Sequence, residues 1–127
     1  MQPSIPTRTR EPTLSDASQK FRPVEGMPEL AGLFEATSGE SRVIFMHDPY
    51  CPVSADACEE MEGVPGGSWV VDVSRQHDLK KEVARLTGIR HESPQVFVLR
   101  DGEAVWHASH YAITRDAVAA AMGGGPD

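Results

Sequence analysis

Four consecutive apolar residues, Val43-Ile44-Phe45-Met46, leave no polar position for a solvent-facing side. A strand of this kind has to be covered on both faces, which calls for a sheet with helices above and below it. The flanking segments supply such helices. Leu30, Leu33 and Phe34 lie at helical spacing between Pro28 and Ala36, where Ser38-Gly39 stops the pattern. After Cys51, residues Val53, Ala57, Cys58 and Met61 form one apolar stripe, with Asp56, Glu59, Glu60 and Glu62 outside it as a solvated acidic face.

The rest of the chain repeats the alternation. Gly63 to Gly67 is a turn, and Ser68-Trp69-Val70-Val71-Asp72-Val73 reads as a strand. Leu79, Val83 and Leu86 then mark a helix that Ser74 or Asp78 can cap and that Gly88 ends. Gln95 to Arg100 and Ala104 to Ala108 are strands joined by Asp101-Gly102, the strongest short-range hairpin signal. Thr114 caps a last helix through Val118 and Met122. The order predicts an α/β domain with a four-stranded mixed sheet flanked by helices: the first two strands parallel through a right-handed crossover, the last two a hairpin. Boundaries follow from composition, with a flexible leader over 1–23, the domain over 24–122 and a disordered Gly/Pro tail over 123–127. Trp69 and Trp106 are expected in or near the core.

The central strand runs directly into His47-Asp48-Pro49-Tyr50-Cys51-Pro52-Val53-Ser54. Pro52 suits the first helical position, so Cys51 falls on the N-cap. The helix dipole and the free N–H groups of the first turn favour an anion there, and helix N-termini lower a cysteine pKa from ~8.5 into the ~3.5–7.5 range. Cys51 is thus the candidate nucleophile, and Pro52, Val53 and Ser54 form the turn that would stabilise its thiolate. Ser54 stands where a dithiol oxidoreductase carries its second cysteine. Its hydroxyl can donate to the sulfur but cannot form a disulfide, so the site is monothiol. Cys58 lies ~10 Å further along the helix axis, beyond the ~7 Å Cα separation that a disulfide allows, and is assigned to the core.

A Cys-Pro-x-Ser at the first strand–helix junction resembles the thioredoxin fold, in which a cis-proline faces the active cysteine; Pro94 in Arg90-His91-Glu92-Ser93-Pro94-Gln95-Val96 stands at that place. The strings His91-Glu92-Ser93-Pro94-Gln95 and Trp106-His107-Ala108-Ser109-His110 are similar to those of the monothiol bacilliredoxin family over roughly residues 28 to 120. That resemblance implies removal of bacillithiol from S-bacillithiolated client proteins. Cys51 would attack the mixed disulfide and keep the bacillithiol until an external low-molecular-weight thiol or a reductase system resolved it. Bacillithiol would then be a co-substrate, with no tightly bound cofactor, and Ser93 and Pro94 would line the thiol groove, joined by Tyr50 from an Asp48-Pro49-Tyr50 lead-in that is particular to this chain. The resemblance also implies a lysine where Met46 stands, so one electrostatic contribution to the thiolate is absent, and Asp48 would oppose the thiolate by like-charge repulsion.

Two other functions compete: an iron–sulfur carrier of the monothiol glutaredoxin kind, and a redox-inert binding module. A formal charge of −7 argues against nucleic acid or an anionic membrane as partner, and no apolar stretch reaches spanning length. The first residues lack the apolar core of a secretory signal, so the expected compartment is the cytoplasm. His107 and His110 are three apart and have no zinc-site spacing, so no metal is expected; His47 and His91 are nearer the site and could assist proton transfer.

Overall fold

A computed structural model describes residues 20–37 and 39–123. The elements are β1 (Phe21–Pro23), α1 (Met27–Glu35), β2 (Ser41–His47), α2 (Pro52–Glu62), β3 (Ser68–Asp72), α3 (His77–Thr87), β4 (Gln95–Arg100), β5 (Glu103–Ser109) and α4 (Arg115–Gly123), with one 3₁₀ turn at His110–Ala112. They form a five-stranded sheet in the order β1-β3-β2-β4-β5, with β1, β3 and β2 parallel and β4 and β5 antiparallel.

The sheet therefore has one strand more than the four expected. Residues 20–23, counted with the leader, carry the additional strand: Ser68 N–H donates to Lys20 O, and Val24 N–H to Val70 O. The remainder of the leader and residues 124–127 of the tail lie outside the described residues.

Covering the central strand on both sides works as its apolar run demands. On one face Ile44 and Met46 pack with Leu30 and Leu33 of α1 and with Leu79 and Val83 of α3; on the other, Val43 and Phe45 pack with Ala57 and Met61 of α2 and Val118 of α4. Complete burial of Phe45 alone stabilises the fold by roughly 1.5–3 kcal/mol relative to exposure. Trp69 packs on the first cluster under the Arg22 guanidinium, 5.2 Å from its ring centre, and Trp106 on the second.

Three local details differ from expectation. Neither Ser74 nor Asp78 caps α3; Gln76 is its N-cap residue, and Ser74 instead bonds Asp72 Oδ1 through both its N–H (3.0 Å) and its hydroxyl (2.6 Å). Leu86 is exposed, and the buried stripe of α3 is confined to Leu79 and Val83. Ser54, rather than Val53, opens the buried stripe of α2. Other punctuation is as expected. Gly88 is left-handed at φ 71° and donates to Ala84 O; Asp101 and Gly102, at φ 53° and 82°, make the paired left-handed turn of a two-residue hairpin; and Thr114 Oγ1 accepts from Ala117 N–H.

Candidate active site

At the carboxyl end of β2 the chain leaves the sheet through Asp48-Pro49-Tyr50 and turns into α2. This end of an α/β sheet is where such folds present reactive groups. Asp48 builds the turn: its Oδ1 accepts from Tyr50 N–H at 2.9 Å and its carbonyl from Cys51 N–H at 3.1 Å. The side chain that was expected to repel a thiolate is thus engaged in shaping the loop. Tyr50 projects into solvent, 82% exposed, immediately before the cysteine.

Cys51 is the N-cap residue of α2. Its backbone is extended (φ −107°, ψ 123°), its carbonyl accepts from Ala55 N–H at 3.0 Å, and Pro52 opens the helix. The residue is half-buried, and no side-chain cap hydrogen bond is formed. Both cysteines are free. Because α2 runs unbroken from Pro52 to Glu62, Cys58 stays ~10 Å along the axis from Cys51. It packs at the margin of the α2–α4 cluster, where burial, and then Glu62 and Glu59, push its thiol pKa up.

Ser54 departs from expectation. Its side chain is fully buried and its hydroxyl engages the strand end: Oγ accepts from Asp48 N–H at 3.0 Å and lies 2.7 Å from His47 Nδ1. It ties the first turn of α2 to the last residue of β2. His47, ring centre 5.0 Å from that of Phe45, is held below the ordinary histidine pKa by burial, against the opposing pull of Asp72 and Asp48.

The loop before β4 lies at the same end of the sheet. The Ser93–Pro94 peptide is cis, and the Met46–Gln95 register carries it alongside the chain leaving β2. Sequence reasoning passed over the residue that shapes this loop. Gln95, 2% exposed, accepts from Glu92 N–H at 3.3 Å and donates to Arg90 O at 3.1 Å. Its amide pattern is readable only once the loop is folded, since within the strand it looks like any polar residue. Ser93 Oγ lies 2.9 Å from His91 Nε2, and Pro94 O accepts from His110 N–H at 3.0 Å. His91 titrates below the ordinary histidine range through burial and then Lys80, with Glu92 opposing. Glu92 is held low by its hydrogen bond from Ser109, then by His110, Arg90 and His107.

The histidines near β5 do not converge. His107 packs beside Phe97, with ring centres 6.2 Å apart, while His110 Nδ1 lies 4.0 Å from Glu92 Oε1. Met46 is fully buried against the α1–α3 side of the sheet, so its side chain faces away from the helix that carries Cys51.

One free cysteine, at a strand end and a helix start, thus shares an end of the sheet with a cis-proline loop. The family model of monothiol bacilliredoxin BrxC matches residues 22–118. The chain belongs to the monothiol bacilliredoxin family. Among solved structures it is similar to a thioredoxin-fold protein provisionally called an oxidoreductase, at 24% identity and a TM-score of 0.76, covering 83% of this chain and 96% of that one. It is also similar to the thioredoxin of Fasciola hepatica (15% identity, TM-score 0.60, 80% and 95% covered). A third likeness is to a point-mutant thioredoxin from Halobacterium salinarum (19%, 0.58, 87% and 93%). At these identities the structures establish the thioredoxin fold. With the family, they make this chain a monothiol redox protein. Among the described residues no helix is long and apolar enough to cross a membrane.

Proposed function

We propose that this member of the family removes bacillithiol from S-bacillithiolated proteins in the cytoplasm. The observation that carries the reading is the position of Cys51, N-cap of α2 at the end of β2, with a serine where a resolving cysteine would stand. Cys51 thiolate attacks the bacillithiol sulfur of the mixed disulfide. The client leaves as a thiolate, and a new disulfide joins Cys51 to bacillithiol. Ser54 has no sulfur to displace it, so an external thiol, either free bacillithiol or a reductase-linked partner, completes the cycle. The amino end of α2 favours the anionic sulfur through its dipole, with Pro52, Val53 and Ser54 forming that first turn. Tyr50 on one side and Ser93–Pro94 on the other line the groove for the incoming thiol.

Intact-protein mass after addition of bacillithiol disulfide tests this on the wild type, Cys51→Ser and Cys58→Ser. One adduct on wild type and Cys58→Ser, none on Cys51→Ser, and reversal by excess bacillithiol are the expected results. An unmodified wild type would defeat the proposal and leave a redox-inert binding module. A Cys51–Cys58 disulfide would mean that α2 unwinds.

A further inference from the structure

The buried Ser54 hydroxyl has one proton and two lone pairs. Asp48 N–H occupies one lone pair at 3.0 Å, and Oγ lies 2.7 Å from His47 Nδ1, a contact that the Ser54 proton bridges when His47 carries its own proton on Nε2. In that Nε2–H tautomer Nδ1 is the acceptor. The second lone pair of Ser54 Oγ remains. Cys51 is the N-cap and Ser54 the third helical residue, the spacing at which the two sulfurs of a Cys-x-x-Cys redox motif come together.

We propose that His47 rests as the Nε2–H tautomer and that Ser54 relays a proton between it and Cys51. After rotation of its side chain, the Cys51 thiol donates to the remaining lone pair of Ser54 Oγ. The S–H bond breaks as a new O–H bond forms, and the former hydroxyl proton passes to His47 Nδ1. The products are Cys51 thiolate, neutral Ser54 and His47 imidazolium, with no electron gained or lost and no further reactant. Run backwards, the relay reprotonates Cys51 when it is released as a thiolate by the resolving thiol. In this relay His47 acts through Ser54, so it is a positioning and proton-holding residue. The groups facing it bear on this role: Asp48 from its own loop and Asp72 from β3 favour the imidazolium, Cys58 of α2 shares the cavity of about 330 Å³ beside the ring, and burial disfavours the imidazolium.

The proposal rests on Cys51 being the nucleophile, but not on bacillithiol being the substrate. It is tested by the rate of Cys51 alkylation with iodoacetamide between pH 4.5 and 9.5, with Cys58→Ser as the parent. The expected profile of the parent has two ionisation steps. His47→Asn keeps an acceptor for the Ser54 hydroxyl but holds no proton, and Ser54→Ala breaks the relay. Both should lose the lower step and react about tenfold more slowly near pH 6.5, the scale of one hydrogen bond to a charged group. His77→Asn, at the exposed start of α3, should keep both steps. Should either site variant fold poorly, ¹⁵N imidazole spectra of the parent still decide: alkylating Cys51 should move His47 protonation to lower pH. A single-step parent profile, a His47→Asn protein with both steps intact, or a His47 titration indifferent to alkylation would each overturn the relay. Loss of the bacillithiol adduct with the two-step profile retained would refute the proposed substrate and leave the relay standing.

Discussion

Replacing Ser54 with cysteine separates the architecture of this position from its chemistry. The hydroxyl is fully buried and bonded to both Asp48 N–H and His47 Nδ1. A thiol is a weak donor and acceptor, so both partners are left poorly satisfied, at a cost of about 2 kcal/mol from a range of ~1–3 kcal/mol for an unmet buried group. For a domain of ~100 residues, 1 kcal/mol corresponds to roughly 4–8 °C, so reduced Ser54→Cys should unfold ~8–16 °C below the wild type in a thermal scan followed by circular dichroism. Its chemistry should change in the other direction. Residues three apart in the first turn place their Cα atoms within the ~7 Å that a disulfide requires. The new sulfur should therefore displace bacillithiol from Cys51, and intact mass should show an internal disulfide in place of a lasting adduct. A reduced variant as stable as the wild type would refute the energetic role of the hydroxyl bonds. A folded variant that still accumulates the adduct would refute the geometry of the first turn.

Stability should also fall with acid. His47 and His91 both titrate below the free value of 6.5 in the folded protein, chiefly through burial, so between those lowered values and 6.5 the unfolded chain binds more protons. Their contribution is complete above about pH 6.5 and is lost as the pH drops towards the folded values; urea midpoints measured from pH 7.5 to 5.0 should decline, and should decline less in a His47→Asn/His91→Asn protein, with a flat wild-type profile contradicting the assignment. Gly102→Ala should destabilise by about 1–3 kcal/mol, because its backbone sits at φ 82° and an added Cβ would collide with Phe34 O; an unchanged unfolding midpoint would mean that the β4–β5 turn can be rebuilt at no cost.

What the sequence disclosed depended on how local the cause was. The N-cap position of Cys51 follows from Pro52 alone, and the β4–β5 turn from Asp101-Gly102 alone, since both are steric preferences of neighbouring residues. The strand Phe21–Pro23 has no such signature. Three residues ending in proline show no alternation, and only pairing with β3 makes them a strand. Leu86 matched the helical period, but whether a periodic position is covered depends on where the sheet stops. Gln76 took the cap position expected of Ser74 or Asp78, and its side chain bonds Asp72 N–H at the end of β3 and Val24 O just after β1. Ser54 was legible as a missing sulfur. Its bonds to His47 and Asp48 were not, because they form only when the helix start is folded back against the strand end.

The division of labour at the site follows from these contacts. In a chain with a net charge of −7, with an uncharged Met46 turned into the core, the support for an anionic sulfur falls to the helix start. A helix start is effective only if it is held still against the sheet, since the dipole acts over about one turn. Asp48 holds the incoming loop through its carboxylate and carbonyl, while Ser54 holds the first turn of α2 against His47. Dithiol relatives place a sulfur at this second position, and sulfur bonds both partners weakly. Serine gives up internal resolution of the mixed disulfide and gains two buried hydrogen bonds at the same place. On this argument the monothiol chemistry and the rigidity of the helix start have one origin, the exchange of a resolving sulfur for a hydrogen-bonding oxygen.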